Sequence, residues 1–299
     1  MDMIAWPPIT EQLLLERLAM TSDELATYLL TVTKAFGVRE YDASLYERAV
    51  GYPWERPESS YFLTGDDVEP LAAMDDARRH ALLERFAVAA GEGDRFPLLA
   101  YGANGAPHAL AAKFAHFGGA DRDVLVLAGA LRDFDVGAAA SPSSYGAMPA
   151  TLFPSPGTAM RCAVLWVSAP QFVQLTWTEV SYCLGRLDGV RFVADDDGEE
   201  LDGVFAFVSR WGAFCLDGKP VALAAVPAEN RTATAMTQAD LLDAAARIAL
   251  GRDACSEDLV RELIEDLHAF VASRGAPIRQ ASLRFASDRW ITFPGGSEP

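Results

Sequence analysis

The sequence predicts an α+β protein in which helical segments flank a strand-rich middle. Apolar residues recur at helical spacing up to about residue 95, short apolar runs separated by turn-forming residues follow, and helical spacing then returns. We therefore expect an N-terminal helical region at 1–95, a strand-rich region at 96–230 and a C-terminal helical region at 231–299.

The composition is that of a globular chain, with 299 residues of which 51% are hydrophobic and 22% charged. It argues against disorder and coiled coil. The net charge of −17 repels phosphate and anionic lipid, so we expect neither nucleic-acid nor membrane-surface binding. The start of the chain has no signal-peptide pattern, and no apolar run approaches the ~18–20 residues of a membrane span. The sequence predicts a cytoplasmic protein.

No metal site or cofactor is expected. The histidines are scattered, as are Cys162, Cys183, Cys215 and Cys255, which we expect to be reduced. The acidic run 195–200 lacks the ligand spacing of a calcium loop, so a solvated hairpin tip is the preferred interpretation. Glycine-rich phosphate-binding motifs and the usual hydrolase signatures are absent.

Two helices are predicted before the strand-rich region. Thr21 and Glu24 have the spacing of a capping box ahead of a helix that runs to about Phe36. After a loop at 51–60, a second helix is expected over 70–90, and Gly91–Asp94 then breaks the pattern. We place the first domain boundary at this break.

The strand-rich region is interrupted by one short helix. Ser168 is expected to cap this helix, which ends near Glu179. A turn is expected at 154–157, and Asp217-Gly218 predicts a hairpin. The predicted strands are Pro97–Tyr101, Val124–Leu127, Met148–Phe153, Cys162–Val167, Val204–Val208 and Val221–Val226.

The C-terminal region is predicted to hold two helices. Thr237, with Asp240 three residues later, begins the first, which ends near Gly251. Ser256 begins the second, which ends near Gly275. The tail 294–299 is expected to fray.

A loop after the first buried strand of the middle region is a candidate binding element. Tyr101-Gly102-Ala103-Asn104-Gly105 follows Leu98–Ala100. A glycine-containing loop at the end of a strand can turn main-chain N–H groups toward a carboxylate or a developing oxyanion. An ordinary strand-to-loop turn explains the same residues.

Glu179 is the candidate acid–base residue. It lies between Trp177 and Val180 at the end of the short helix, in apolar surroundings for a carboxylate. Burial would raise its pKa, as a proton-shuttling carboxylate requires. The alternative is a polar residue at a helix end that faces water.

Together these segments resemble the gamma-glutamylcyclotransferase-like superfamily. The resemblance is carried by YGAN at 101–104, ATLFPSPG at 150–157 and TEVSY at 178–182, in this order. It covers about residues 97–210 and leaves both helical flanks unexplained. It implies a small mixed β-barrel with short helices and a cavity, and the helical spacing adds the N- and C-terminal helical segments on either side.

The resemblance also implies a cofactor-free reaction of a small substrate that bears a carboxylate. The α-amine of a γ-glutamyl amide attacks its own γ-carbonyl, releasing 5-oxoproline and the second amine. Glu179 would be catalytic by transferring the proton. The loop backbone around Gly102, Ala103 and Asn104 would hold the carboxylate. The remaining binding residues implied are Tyr101, Gly105 and Tyr182, the last of which could hydrogen-bond to Glu179.

The sequence departs from the family pattern at several positions. Ala103 replaces a serine, Val180 replaces a glycine, Cys162 stands where a small residue is usual, and Lys113 is the cation nearest to a missing arginine. These departures leave two alternatives open, a non-catalytic binding module or an amidohydrolase-associated domain. The helical flanks can cover the barrel, close the pocket or form a homo-oligomer interface, and the sequence does not decide among these roles.

Overall fold

The structure is a computed structural model that describes residues 5–86, 95–196, 198 and 200–299. Most of its helices lie near the two ends of the chain and its long strands in the middle, as in an α+β protein. The α-helices are α1 (Gln12–Ala19), α2 (Ser22–Thr33), α3 (Ala43–Val50), α4 (Asp76–Phe86), α5 (Pro107–Phe114), α6 (Ala169–Thr178), α7 (Gln238–Ala249), α8 (Ser256–Glu265), α9 (Leu267–Ser273) and α10 (Gly275–Gln280). The strands are β1 (Tyr61–Thr64), β2 (Asp67–Pro70), β3 (Arg95–Ala100), β4 (Val124–Ala138), β5 (Ala150–Ser168), β6 (Tyr182–Ala194), β7 (Glu200–Ser209), β8 (Ala213–Leu216), β9 (Lys219–Pro220), β10 (Ala222–Leu223), β11 (Ala228–Glu229), β12 (Ala235–Met236), β13 (Ser282–Leu283) and β14 (Trp290–Thr292).

Five of the strands close into a barrel. Their order is β5-β3-β7-β6-β4, and β4 pairs again with β5. β3 and β7 run parallel, whereas the other four pairings are antiparallel. A Cβ on Gly129 would lie 2.3 Å from the carbonyl oxygen of Val193, so only glycine fits where β4 crosses β6. The predicted mixed barrel with short helices is confirmed.

Both faces of the barrel strands are buried. Along β3, Leu98 and Ala100 belong to an apolar cluster with Phe114 of α5 and Phe172 of α6. The alternate residue Leu99 belongs to a second cluster. Successive side chains of a strand point to opposite faces, so burial of both faces explains why β3 reads as a continuous apolar run.

The turn predicted at 154–157 was wrong, because β4 and β5 form one long ribbon. β5 is a single strand of 19 residues, and its pairing with β4 runs from Leu125↔Trp166 to Ala138↔Ala150. The register shifts between Arg132 and Phe134, and Phe134 opposes Pro154 immediately after this irregularity. The register passes over 155–158 on β5 and over Asp133 on β4, and Gly157 has φ +83°. Proline lacks the N–H that a regular ladder needs and is tolerated beside a bulge, so the chain is irregular where the turn was predicted but the strand continues.

The N-terminal region contains strands that the sequence did not predict. The capping box of Thr21 and Glu24 is formed at the start of α2. The single helix predicted over 70–90 was wrong in its first part, because β1 and β2 form a hairpin and a 3₁₀ turn at Leu71–Ala73 precedes α4. β1 then pairs with β4. The predicted break at Gly91–Asp94 lies outside the described residues.

The Asp217-Gly218 hairpin is confirmed as the β8–β9 turn, with positive φ at both residues. At the acidic run, β6 and β7 stay paired up to Val193↔Glu200, which is the predicted hairpin, although Asp197 and Glu199 lie outside the described residues. The four cysteines are free.

The C-terminal region departs from its prediction at two places. Thr237 and Asp240 form the predicted capping box of α7. The second predicted helix is divided into α8, α9 and α10, because Asp266 leaves helical geometry and accepts a hydrogen bond from the N–H of Ala269. The tail is anchored: the N–H of Ser297 donates to the carbonyl of Leu18 at 3.0 Å. The division of the chain at residues 95 and 230 remains a prediction.

Within the described part of the chain, no helix has both the length and the apolarity needed to cross a membrane.

The buried ion pair of Asp135 and Arg231 provides a test of the ribbon. Asp135 is fully buried on β4, and its carboxylate accepts hydrogen bonds at 2.7 and 2.8 Å from Arg231. Asp135→Asn leaves the guanidinium without its countercharge, so we expect urea denaturation to show a loss of about 3 kcal/mol in the free energy of unfolding. Asp133→Asn is the control, because this side chain is 41% exposed and its partner Arg289 lies 3.2 Å away. Its expected loss is below about 1 kcal/mol, and equal losses would contradict the assignment.

Candidate functional site

A cavity of about 710 Å³ lies where the loop after β3 meets the end of α6. Its wall includes Tyr101, Gly102, Ala103, Asn104, Glu179 and Tyr182, all of which the sequence analysis proposed as site residues. Gly105 is the exception. It is buried beside the loop, where its carbonyl accepts a hydrogen bond from Tyr61 at 3.2 Å, and it is not part of the cavity wall. Its proposed role in binding stays a prediction.

The loop is fixed by contacts on both sides. Gly102 is followed by a 3₁₀ turn at Ala103–Gly105 that leads into α5. The Tyr101 hydroxyl donates to the carbonyl of Phe207 on β7, and Arg56 donates to the carbonyl of Tyr101 at 3.1 Å. Both contacts hold Tyr101 at the start of the loop. The turn itself is closed by hydrogen bonds of 3.0 Å from the N–H of Gly105 to the carbonyl of Gly102 and from the N–H of Ala106 to the carbonyl of Ala103.

Glu179 is the first residue after α6, which begins with a capping box formed by Ser168 and Gln171, as predicted for Ser168. Its Oε1 atom accepts hydrogen bonds at 3.0 Å from Asn104 Nδ2 and from Lys113 Nζ. Lys113 also donates to Asn104 Oδ1 at 2.7 Å. The three side chains thus form a closed triangle, and among the described residues no side chain or N–H group donates to Oε2 of Glu179.

Nearby cations compensate the negative charge of Glu179, which lies at the C-terminal end of α6. The C-terminus of a helix carries a partial negative charge and disfavours an anion. Lys113 supplies an ammonium group, and its side chain is only 21% exposed against 17% for Glu179. Arg17 donates to the carbonyls of Thr176 and Trp177 at the same helix end. Two cations therefore stabilise the end of α6 and the carboxylate that follows it.

Tyr182 does not bond to Glu179, contrary to the sequence-based expectation. Its hydroxyl donates instead to the carbonyl of Ala150, at the start of β5, at 2.7 Å. The Tyr52 hydroxyl accepts from the N–H of Ala150 at 2.9 Å and also faces the N–H of Ala103. The N–H of Ala103, which the sequence analysis assigned to carboxylate binding, is therefore already directed to the Tyr52 hydroxyl.

Four tyrosines of the cavity wall have pKa values that burial raises. Burial raises the pKa of Tyr52 to about 12. Burial also raises the pKa values of Tyr101, Tyr145 and Tyr182 well above that of an exposed tyrosine. The negative charge of Glu179 contributes to each of these shifts. The hydroxyls stay protonated at neutral pH and act as hydrogen-bond groups in a medium of low polarity.

Several wall residues were missed by the sequence analysis. Tyr52 and Trp54 lie in the segment predicted only as a loop, and Tyr145 lies between β4 and β5. Lys113 was named only as the cation nearest to a missing arginine. It stands nine residues after Asn104, and α5 in between brings its side chain back over the loop. The sequence signal that could have identified Lys113 is a cation on the helix that follows the loop. No comparable sequence signal pointed to Tyr52, Trp54 or Tyr145.

Gly102 is required by the close approach of Tyr52. A Cβ at position 102 would lie 2.6 Å from the Tyr52 hydroxyl and 3.0 Å from Ala150 Cβ. We expect Gly102→Ala to lower the free energy of unfolding by about 1–3 kcal/mol through overpacking. Tyr52→Phe removes the clashing oxygen, so the loss in the double variant should be smaller than the sum of the two single losses. Urea denaturation of the four proteins measures this, and strict additivity would contradict the contact.

The tyrosine pKa values predict a specific alkaline behaviour. The unfolded chain loses the Tyr52 proton near pH 10.0, whereas the folded protein keeps it to about pH 12. Between these values the unfolded state binds fewer protons, so the free energy of unfolding falls as pH rises. We expect Tyr52→Phe to reduce this slope in urea denaturation at a series of pH values. Tyrosinate absorbance that shows the cavity tyrosines ionising near pH 10.0 in the folded protein would contradict the burial of their hydroxyls.

Comparisons with known proteins add a resemblance at the level of structure. No family model matches the chain, and no curated protein matches it. Among solved structures, a match titled "Gamma-glutamyl cyclotransferase" has 17% identity and a TM-score of 0.32, covering 39% of this chain and 67% of that one. An uncharacterized protein from Homo sapiens has 19% identity and a TM-score of 0.29, with 39% and 68% covered. Both likenesses are partial and of low identity.

Proposed function

We propose that this protein catalyses a gamma-glutamylcyclotransferase-type reaction, in which a γ-glutamyl amide closes to 5-oxoproline and releases its second amine. The observation that carries the proposal is the hydrogen bond between Asn104 and Glu179. It joins the loop expected to bind a carboxylate to the residue expected to move a proton, within one cavity.

The substrate carboxylate is proposed to bind at the loop. The N–H groups of Gly102 and Asn104 are the remaining main-chain donors of the predicted cradle, since that of Ala103 faces Tyr52. A lysine ammonium has three donors, and Lys113 uses two of them on Asn104 and Glu179. Its third donor can bind an oxygen of the substrate. Charge-assisted hydrogen bonds of this kind are about twice as strong as neutral ones.

Proton transfer is assigned to Oε2 of Glu179. The substrate's neutral α-amine attacks its γ-carbonyl carbon, a C–N bond forms, and Oε2 accepts the proton that the amine loses. The protonated carboxyl then donates this proton to the departing nitrogen as the original C–N bond breaks. Glu179 returns to the carboxylate form, so the reaction involves no oxidation or reduction and needs no co-reactant.

The rate enhancement has two physical sources. Closing a five-membered ring within one molecule needs little further loss of freedom once the chain is held in the folded conformation. A positioned acid–base group contributes typically about 10²–10⁴-fold. The four tyrosines of the wall keep their hydroxyls protonated at neutral pH, so they can act as hydrogen-bond groups near Glu179.

One observation also favours a binding module without turnover. The closed triangle already satisfies the amide group of Asn104 and one oxygen of Glu179, as in a stable structural ion pair. Such a module would bind a small carboxylate at the loop and leave the amide bond intact.

Turnover of γ-glutamyl dipeptides tests the proposed function. We expect the wild-type protein to release 5-oxoproline, measured by mass spectrometry. Glu179→Gln keeps the size of the side chain and its Oε1 acceptor but removes the proton acceptor, so the rate should fall by about 10²–10⁴-fold. Glu200→Gln is the control, because Glu200 forms an exposed ion pair with Arg191 outside the cavity, and its rate should stay within about twofold of wild type.

The results separate the two candidates. A wild-type protein that yields no 5-oxoproline from a broad panel contradicts the enzyme, as does a folded Glu179→Gln variant that stays fully active. A rise in melting temperature with a γ-glutamyl compound, without product, supports the binding module instead.

A further inference from the structure

An aromatic wall, formed by Tyr52, Trp54, His108 and Tyr145, borders the same cavity as Glu179. The ring centroids of Trp54 lie 5.5 Å from Tyr52, 5.4 Å from His108 and 5.4 Å from Tyr145. These separations are those of interacting aromatic pairs. Trp54 is therefore the centre of the wall, and every other ring contacts or approaches it.

The aromatic wall adjoins the loop after β3. Tyr52 approaches Gly102 so closely that a Cβ there would lie 2.6 Å from its hydroxyl. His108 is in the first turn of α5, the helix that also carries Lys113. A substrate held at the loop with its γ-carbonyl near Glu179 thus has aromatic side chains as its neighbours.

The backbone of Trp54 indicates that its position is functionally constrained. Its φ is +65°, a left-handed conformation that is disfavoured for bulky L residues. Its ring is only half-buried, and Arg48 lies over it at 5.6 Å from the ring centroid. The indole N–H donates to the carbonyl of Arg48 at 3.1 Å and the ring packs against the apolar core, so these contacts hold the conformation. Residues held in disfavoured conformations cluster at ligand-binding sites.

The cavity has room for more than a glutamyl group. Its volume of about 710 Å³ is within the range of sites for drug-sized ligands, roughly 300–1,000 Å³. With the glutamyl half at the loop and near Glu179, as the proposed function requires, the rest of the cavity is open to the departing half. The aromatic wall borders this remaining space, together with apolar side chains such as Val32 and Leu267.

We propose that the departing amine of the substrate carries an aromatic ring, which packs against Trp54 and Tyr145. This inference rests on the proposed function, because it assigns the second half of the same substrate. The substrate class is the γ-glutamyl amides of aromatic amino acids or aromatic amines. Both present the same ring, and they differ in whether the departing half has a carboxylate.

Matched pairs of substrates test the preference. The wild-type protein is given γ-glutamyl-phenylalanine against γ-glutamyl-alanine, and γ-glutamyl-phenethylamine against γ-glutamyl-ethylamine, with kcat/KM for 5-oxoproline as the readout. We expect the aromatic member to be favoured by roughly 3- to 10-fold in at least one pair, and the pair that shows it identifies the source of the ring. No preference in either pair overturns the inference.

Two variants locate the ring. Trp54→Leu should reduce the ratio of kcat/KM between the aromatic substrate and its matched partner toward one. Phe36→Leu is the matched control, because Phe36 lines the same cavity but has no ring contact with the aromatic wall. An unchanged ratio in Trp54→Leu, or a ratio lost in Phe36→Leu instead, overturns the assignment to the aromatic wall.

Binding to Glu179→Gln separates this inference from the proposed function. Calorimetry with γ-glutamyl-phenylalanine and γ-glutamyl-alanine measures affinity in a protein that is not expected to turn them over. Tighter binding of the aromatic compound that is lost in Trp54→Leu/Glu179→Gln supports the aromatic wall even where the wild-type protein forms no 5-oxoproline. Equal affinities together with normal turnover refute the aromatic wall alone.

Discussion

The ion pair between Lys113 and Glu179 is the interaction on which the candidate site depends. It connects α5 to the end of α6, and Asn104 attaches the loop after β3 to the same carboxylate. A carboxylate at a helix C-terminus within an apolar wall is unfavourable without a nearby cation. The pair therefore helps to hold α5, the end of α6 and the loop after β3 together beside the cavity, where no strand pairing connects them.

Local signals in the sequence predicted the elements that carry the site. The capping residues Thr21, Ser168 and Thr237 act within one turn of chain, so their patterns can be read without tertiary knowledge. The pairing of Asn104 with Glu179 within one site followed from a family resemblance. The structure adds the hydrogen bond between them.

The features that sequence could not predict depend on distant partners. Nothing near Tyr52 indicates that its hydroxyl bonds to the N–H of Ala150, and nothing near Pro154 indicates that its strand continues opposite Phe134. The anchoring of the tail depends on Leu18, which is far away in sequence. At Pro154 the local rule is that proline and glycine end a strand, and at the tail it is that termini fray. A long-range contact overrides the rule in both cases.

The β4–β5 ribbon has a consequence for the order of folding. Asn104 and Glu179 are separated by 75 positions in the chain, and the whole ribbon lies between them. Contacts between distant residues form only after the loop-closure entropy has been overcome, and pairing of β4 with β5 shortens the effective distance between the loop and α6. Without the paired ribbon, neither the loop nor the end of α6 is held beside the other, so we expect the cavity to form only when the barrel closes.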